Sequence, residues 1–243
     1  MLKISWLLIL IFGISILGFI FFRNQSWFSK FNADALVNKY SQEEIDHFAT
    51  FAFFEGCIIK WGTNIKISII PSKGPDSLLY SKVTTCIQEL NNLMEEVTIK
   101  VVNDNLSNAQ FYFVDTLHSK YGSTLIGAIL WVIPYPTLST GEIKIQQRNR
   151  SVEEISSTIQ HEFTHLLGFH HQSVGYDSSF NPKQSILIGE PPNIKWVPIF
   201  ENYTDLDKAA IRIMYDADVA IDPGVTKEKF YRKIEEAKRK MKK

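Results

Sequence analysis

Every position from Ile4 to Phe22 is apolar, Gly or Ser, and the run is flanked by Lys3 and Arg23. A stretch of this length crosses a ~30 Å hydrocarbon core as a single helix. The residues that follow, FFRNQSW, contain no small-residue cleavage site, which favours an uncleaved anchor. A cleaved signal peptide, leaving a secreted protein, is the competing reading. Basic residues are nearly balanced across the run, so its orientation rests on the short amino-terminal tail. That tail fits a single-pass signal anchor with the following domain outside the cytoplasm.

Downstream, the apolar positions become periodic. Residues 24–40 read as a stalk. A Ser41-x-x-Glu44 cap opens a helix expected to run through Phe54. Ile65, Ile67 and Ile69 alternate with other positions and predict a strand over Asn64–Ile70, closed by a turn at Pro71–Asp76. Ser77–Met94 reads as a helix with Leu79, Val83, Cys86, Leu90 and Leu93 on one face. Strands are predicted at Val97–Val102, Ala109–Val114, Gly127–Ile133 (a nearly continuous apolar run) and Glu142–Gln146. Ser151 and Glu154 form a capping box before an apolar stripe of Val152, Ile155, Ile159, Phe163, Leu166 and Leu167. A last helix is expected to begin at Thr204, capped by Thr204 and Asp207, and to run through Tyr215. No internal repeat or low-complexity segment interrupts this order. It predicts a mixed sheet packed against helices in one α/β (α+β) domain.

Charge removes one class of partner. The 26 basic and 26 acidic side chains balance, without the basic footprint of a nucleic-acid-binding protein. From Lys227 to Lys243, Lys and Arg outnumber Glu, and that segment reads as a solvated helix. Cys57 and Cys86 can pair if the domain is exported, closing a loop of about 30 residues and contributing ~3 kcal/mol. A buried thiol at Cys86, on an apolar helix face, is the equal alternative. Asn24, Asn105, Asn149 and Asn202 open N-x-S/T triplets, which matter only in a glycosylating host.

Residues 161–171 read HEFTHLLGFHH. At ~100° per residue, the apolar stripe anchors one helix face while His161 and His165 share the other, one turn apart. Neutral imidazoles so placed suit Zn²⁺, which favours tetrahedral coordination at ~2.0–2.1 Å. Glu162, beside the first ligand, is placed to hold the attacking water and take its proton. Gly168 can adopt positive φ, end the helix and turn the chain back, bringing His171 to the metal as third ligand. Three protein ligands leave a fourth position for water, as in a catalytic rather than a structural zinc site. The five fixed positions coincide by chance roughly once in a few tens of millions of starting points. His170 is the neighbouring alternative to His171.

These residues resemble the metzincin superfamily of zinc endopeptidases, whose signature is HExxHxxGxxH followed by a Met-turn. The resemblance implies a zincin domain over residues 58–216, with a mixed twisted sheet and an active-site helix. It makes residues 1–23 an anchor, 24–57 a stalk and helix, and 217–243 a charged tail. It assigns one Zn²⁺ to His161, His165 and His171, the general base to Glu162 and the turn glycine to Gly168; its spacing selects His171 over His170. It also implies an edge strand that pairs with a peptide substrate, here Gly127, Ala128, Ile129 and Leu130. No Met lies between Gln172 and Tyr203, so the turn beneath the metal is placed at Ser185, Ile186 and Leu187, with Leu187 in place of Met. Met214 falls in the last helix and reads as core. TDLDKAAIRIMY looks matrixin-like, whereas Gly168–His171 looks astacin-like without the accessory tyrosine near Gly189, so the subfamily stays unassigned.

Three other readings compete. A catalytically inactive, membrane-tethered zinc-binding module is the main alternative to a protease of protein or peptide substrates. A structural zinc site would use a cysteine-rich closed set, which two distant cysteines cannot build. An intramembrane protease would carry its HExxH within an apolar span. Asp177 and Asp205 are the acidic residues available to calcium, and such residues ordinarily cap or solubilise. Tyr215 and His170 are the candidate helpers for the oxyanion, though packing or surface positions explain both.

Overall fold

Alternating stretches become strands and periodic ones become helices, several of them started by a capping side chain three residues from its partner. The computed structural model describes residues 30–70, 77–118, 124–125, 127–132, 136–171, 185 and 202–243. The expected membrane span, the Pro71–Asp76 turn, Ile186, Leu187, Asp177 and Gly189 lie outside the described residues. Among those described, no helix is long and apolar enough to cross a membrane.

The chain runs α1 (Ala33–Lys39), α2 (Gln42–Phe51), β1 (Phe53–Phe54), β2 (Cys57–Ile58), β3 (Lys60–Trp61), β4 (Ile65–Ile70) and α3 (Ser77–Leu93). It continues through β5 (Ile99–Val101), a 3-10 turn at Asp104–Leu106, β6 (Ala109–Val114), β7 (Leu117–His118), β8 (Thr124–Leu125) and β9 (Gly127–Val132). Last come β10 (Thr137–Leu138), β11 (Thr140–Gln146), α4 (Val152–Leu166), α5 (Asp205–Tyr215) and α6 (Lys227–Met241).

The main sheet has the order β5-β4-β6-β11-β9. β5, β4, β6 and β11 are mutually parallel, with Ile67 opposite Ala109 and Ile143 opposite Phe111. β9 pairs antiparallel with β11, placing Leu130 opposite Glu142 and Ala128 opposite Lys144, and forms one edge. Parallel neighbours need long crossovers; α3 supplies the one between β4 and β5. α4 follows β11 directly and packs back over β11 and β9, with α3 beside it.

Strand alternation decides what enters the core. Ala109, Phe111 and Phe113 are buried along β6, as are Ile143 and Ile145 on β11. They meet Ile155, Ile159, Phe163 and Leu166 of α4, and the rings of Phe111 and Phe163 stack at 5.8 Å. Each such side chain contributes about 1.5–3 kcal/mol by leaving water. This stripe orients α4, and the side carrying His161, Glu162 and His165 is also largely buried, with Glu162 and His165 both inside.

The structure departs from the sequence pattern in three places. α2 stops at Phe51 rather than Phe54. Glu55 and Gly56 take positive φ (48° and 85°), folding Phe53–Phe54 onto Cys57–Ile58 as a tight hairpin. Part of the expected stalk is helix α1, capped by the Asn32 side chain, which accepts the Ala35 N–H at 3.1 Å. α1 packs on α6, and Phe31 and Leu36 are buried. The charged segment that reads as a solvated helix buries Phe230, Ile234 and Ala237, whose spacing makes one apolar stripe among the charges. Backbone hydrogen bonds join these segments: Ile58 N–H donates to Val225 O (3.0 Å) and Asn32 N–H to Val219 O (2.8 Å). Cys57 and Cys86, for which the sequence left a disulfide and a buried thiol equally open, form no disulfide with each other. Cys57 lies in β2 and bridges to Thr226, while Cys86 lies on α3 with Sγ 3.6 Å from the Tyr203 hydroxyl. Burial pushes the Cys86 thiol up to about 12.

Candidate metal centre

α4 begins where the sequence supplies two reciprocal bonds. Ser151 Oγ accepts the Glu154 N–H (3.1 Å), and the Glu154 carboxylate accepts the Ser151 N–H (2.8 Å). Glu153 and Glu154 also set negative charge against the positive end of the helix dipole. His161, Glu162 and His165 all lie in the second half of this helix.

Its end is built by a glycine. Gly168 has φ +102°, its N–H donates to His165 O (2.9 Å), and the Phe169 N–H donates to Thr164 O (3.3 Å). This pair of bonds is the Schellman arrangement, which consumes two of the carbonyls left over at a helix end. A Cβ at residue 168 would stand 2.1 Å from the backbone oxygen of Ile59, so no other residue fits. Beyond the bend, Phe169 is buried edge-on against Phe48 (6.3 Å), and the His170 N–H donates to Phe51 O (2.9 Å).

That path brings His171 back to the helix. His165 Nε2 lies 3.0 Å from His161 Nε2 and 3.0 Å from His171 Nε2. The three ligand atoms lie within 4.8 Å of one another. His165 Nδ1 sits 2.8 Å from Phe169 O, and because a carbonyl only accepts, that nitrogen carries the proton. His165 Nε2 is then a bare lone pair aimed at the two other rings. Ligand nitrogens at ~2.05 Å from a tetrahedral ion stand about 3.3 Å apart, close to the spacing here. Burial, and then the two neighbouring rings, hold His165 well below its ordinary pKa, so it stays neutral, as a metal ligand must be. Nitrogen lone pairs converging at this distance repel one another unless a cation sits between them. The donor set therefore fits a divalent ion such as Zn²⁺.

Glu162 follows His161 and is only 5 % exposed. Burial raises its carboxyl to about 8. His170 does not join the cluster: its ring lies against Phe54, with centroids 4.5 Å apart, and burial, then the His171 ring, lower it to about 4. Ser185, the one described residue of the expected turn, is 0 % exposed and donates to Asp207 Oδ1 (2.7 Å). Asp207 is itself the capping-box residue of α5 and also faces His47 Nε2 at 3.3 Å. Gly127 to Leu130 lie on the edge strand β9, which among the described residues pairs only with β11. Met214 is buried in α5, and Asp205 sits in that helix's first turn.

Some contributors carry no local sequence signal. Tyr203 O–H donates to Gln160 O (2.9 Å), and Trp61 Nε1–H to Leu166 O (2.7 Å). Tyr215, considered above as an oxyanion helper, instead commits its O–H to Leu167 O (2.8 Å).

No family model and no curated protein matches the sequence. Among solved structures, the chain is similar to two of myroilysin. One aligns at 17 % identity with a TM-score of 0.43, covering 68 % of this chain and 98 % of that one. The other aligns at 16 % identity with a TM-score of 0.42, covering 69 % and 95 %.

Proposed function

We propose that the chain is a zinc-dependent endopeptidase that hydrolyses peptide bonds with Glu162 as general base. The observation that carries this reading is the convergence of His161, His165 and His171 on one point, with a buried carboxyl next to the first of them. Those three histidines would hold the ion, which when bound supplies a Lewis acid that polarises a peptide carbonyl and eases ionisation of water. Glu162 takes the proton of the attacking water and passes it to the leaving amine. Burial alone favours the neutral acid at this position, and a cation beside it favours the carboxylate that a base requires.

The substrate is an extended peptide that adds to the edge of β9, with the main chain of Gly127, Ala128, Ile129 and Leu130 supplying its hydrogen bonds. By the metzincin resemblance, the turn beneath the ion falls at Ser185, Ile186 and Leu187, with Leu187 at the place of the Met in that pattern. Ile4–Phe22 tethers the enzyme to a membrane, with the catalytic domain on the extracytoplasmic side.

Purified protein is expected to bind about one zinc per chain and to cleave an unstructured protein. Glu162→Gln should keep the zinc and lose nearly all turnover. Full activity in that variant would remove Glu162 from the reaction. Zinc content should fall sharply in His171→Ala and stay near the parent value in His170→Ala; the reverse result would reassign the third ligand.

A further inference from the structure

We propose that Trp61 and Tyr215 are positioning residues for the metal centre, clamping the last turn of α4 so that the Gly168 bend delivers His171 to His161 and His165. This rests on the metal-centre reading above.

The last carbonyls of a helix have no partner within it. The bend satisfies those of Thr164 and His165, through the Phe169 and Gly168 N–H groups. The next two carbonyls, of Leu166 and Leu167, are met by side chains from distant elements. Trp61 Nε1–H donates to Leu166 O at 2.7 Å and Tyr215 O–H to Leu167 O at 2.8 Å. The two donors are also tied together, because the Trp61 backbone N–H donates to the Tyr215 oxygen at 3.4 Å.

Neither side chain has room to drift. Both are fully buried. The Lys60 ammonium lies 4.8 Å from the centre of the Tyr215 ring, and the Tyr215 carbonyl accepts the N–H groups of Glu95 and Glu96, each at 3.1 Å. Ile59, two residues before Trp61, is the backbone that Gly168 presses against. Packing alone would be served by a phenyl ring at either position. A buried hydroxyl or indole N–H costs free energy unless it is used, and here both are used on the two carbonyls that precede the bend.

The test compares Tyr215→Phe and Trp61→Phe with the parent, as full-length protein in detergent. Zinc affinity is read by competition with a chromophoric chelator. Amide hydrogen exchange at Gly168 and Phe169 is read in the metal-free protein. Each variant should bind zinc about three- to tenfold more weakly, the equivalent of one lost hydrogen bond. Gly168 and Phe169 should exchange faster, while Ile159, in mid-helix, should not change. Ile67→Ala, a core change on β4, should lower thermal stability and leave zinc affinity alone. Parent-like affinity and exchange in Tyr215→Phe would overturn the proposal and leave packing as the only role. That variant removes a single oxygen, so it decides the matter even if Trp61→Phe fails to fold. A parent protein that binds no zinc would overturn the metal-centre reading as well, whereas zinc-binding parent and unaltered variants overturn this proposal alone.

Discussion

Gly168 concentrates the demands of the site on one hydrogen atom. Its φ of +102° is strained for any side chain, at roughly 1–3 kcal/mol, and the Ile59 oxygen fills the space a Cβ would need. Gly168→Ala should therefore lower the melting temperature and reduce zinc content together, measured by thermal scan and metal analysis. A variant that kept both would show that the bend tolerates a different path. At this scale the spacing of HEFTHLLGFHH announced which rings converge, because a helical turn and one glycine bend are local geometry. Trp61 and Tyr215 were not legible: their hydrogen bonds reach across 105 and 48 residues to Leu166 and Leu167. Nothing near Trp61 or Tyr215 in the chain marks that destination.

Helices α2, α4 and α5 all start at Ser or Thr with an acidic residue three positions on, and each capping box forms as the sequence implied. Such signals are readable because donor and acceptor lie within one turn. α1 and the β1–β2 hairpin were missed for the opposite reason. α1 is short and owes its place to α6, and the hairpin depends on positive φ at Glu55, a residue that seldom adopts it. Asp216, just after α5, ties that helix to α1. Its carboxylate accepts the Tyr40 hydroxyl (2.8 Å), Lys39 Nζ (3.2 Å) and the N–H groups of Asp218 (2.8 Å) and Val219 (3.0 Å). Burial pushes this acid up, but those bonds outweigh it and hold it below its ordinary value. A carboxyl depressed in the folded state adds stability above its unfolded pKa, and that stability is lost as pH falls through the folded pKa. Asp216→Asn should flatten the acid limb of a stability-versus-pH curve from chemical denaturation. An unchanged limb would mean that the tie contributes nothing net.

Across the whole molecule, the largest misreading concerned α6. Its charges dominate the sequence, yet Phe230 stacks on Phe31 at 5.3 Å and meets Phe48 at 5.6 Å, so this helix closes the core. Three apolar residues in a charged run can be read as a stripe only when a partner surface is known, and that surface lies some two hundred residues earlier. Phe230→Ala should cost about 3–5 kcal/mol in denaturant unfolding; a loss under 1 kcal/mol would return the segment to solvent. The mixed sheet and its helices were legible because alternation and 3.6-residue periods are written along the chain, while strand order and the antiparallel pairing of β9 with β11 were not; the edge position of Gly127–Leu130 came only from the resemblance.

The distances spanned by the clamp also bear on how this protein comes into being. Leu167 waits for an oxygen from Tyr215, and Trp61 must hold its place through the 105 residues between it and Leu166. The turn therefore cannot lock before Tyr215 has been synthesised, since long-range contacts close after local ones. The three histidines of the nascent chain thus emerge before Tyr215, the residue whose oxygen fixes the turn between them.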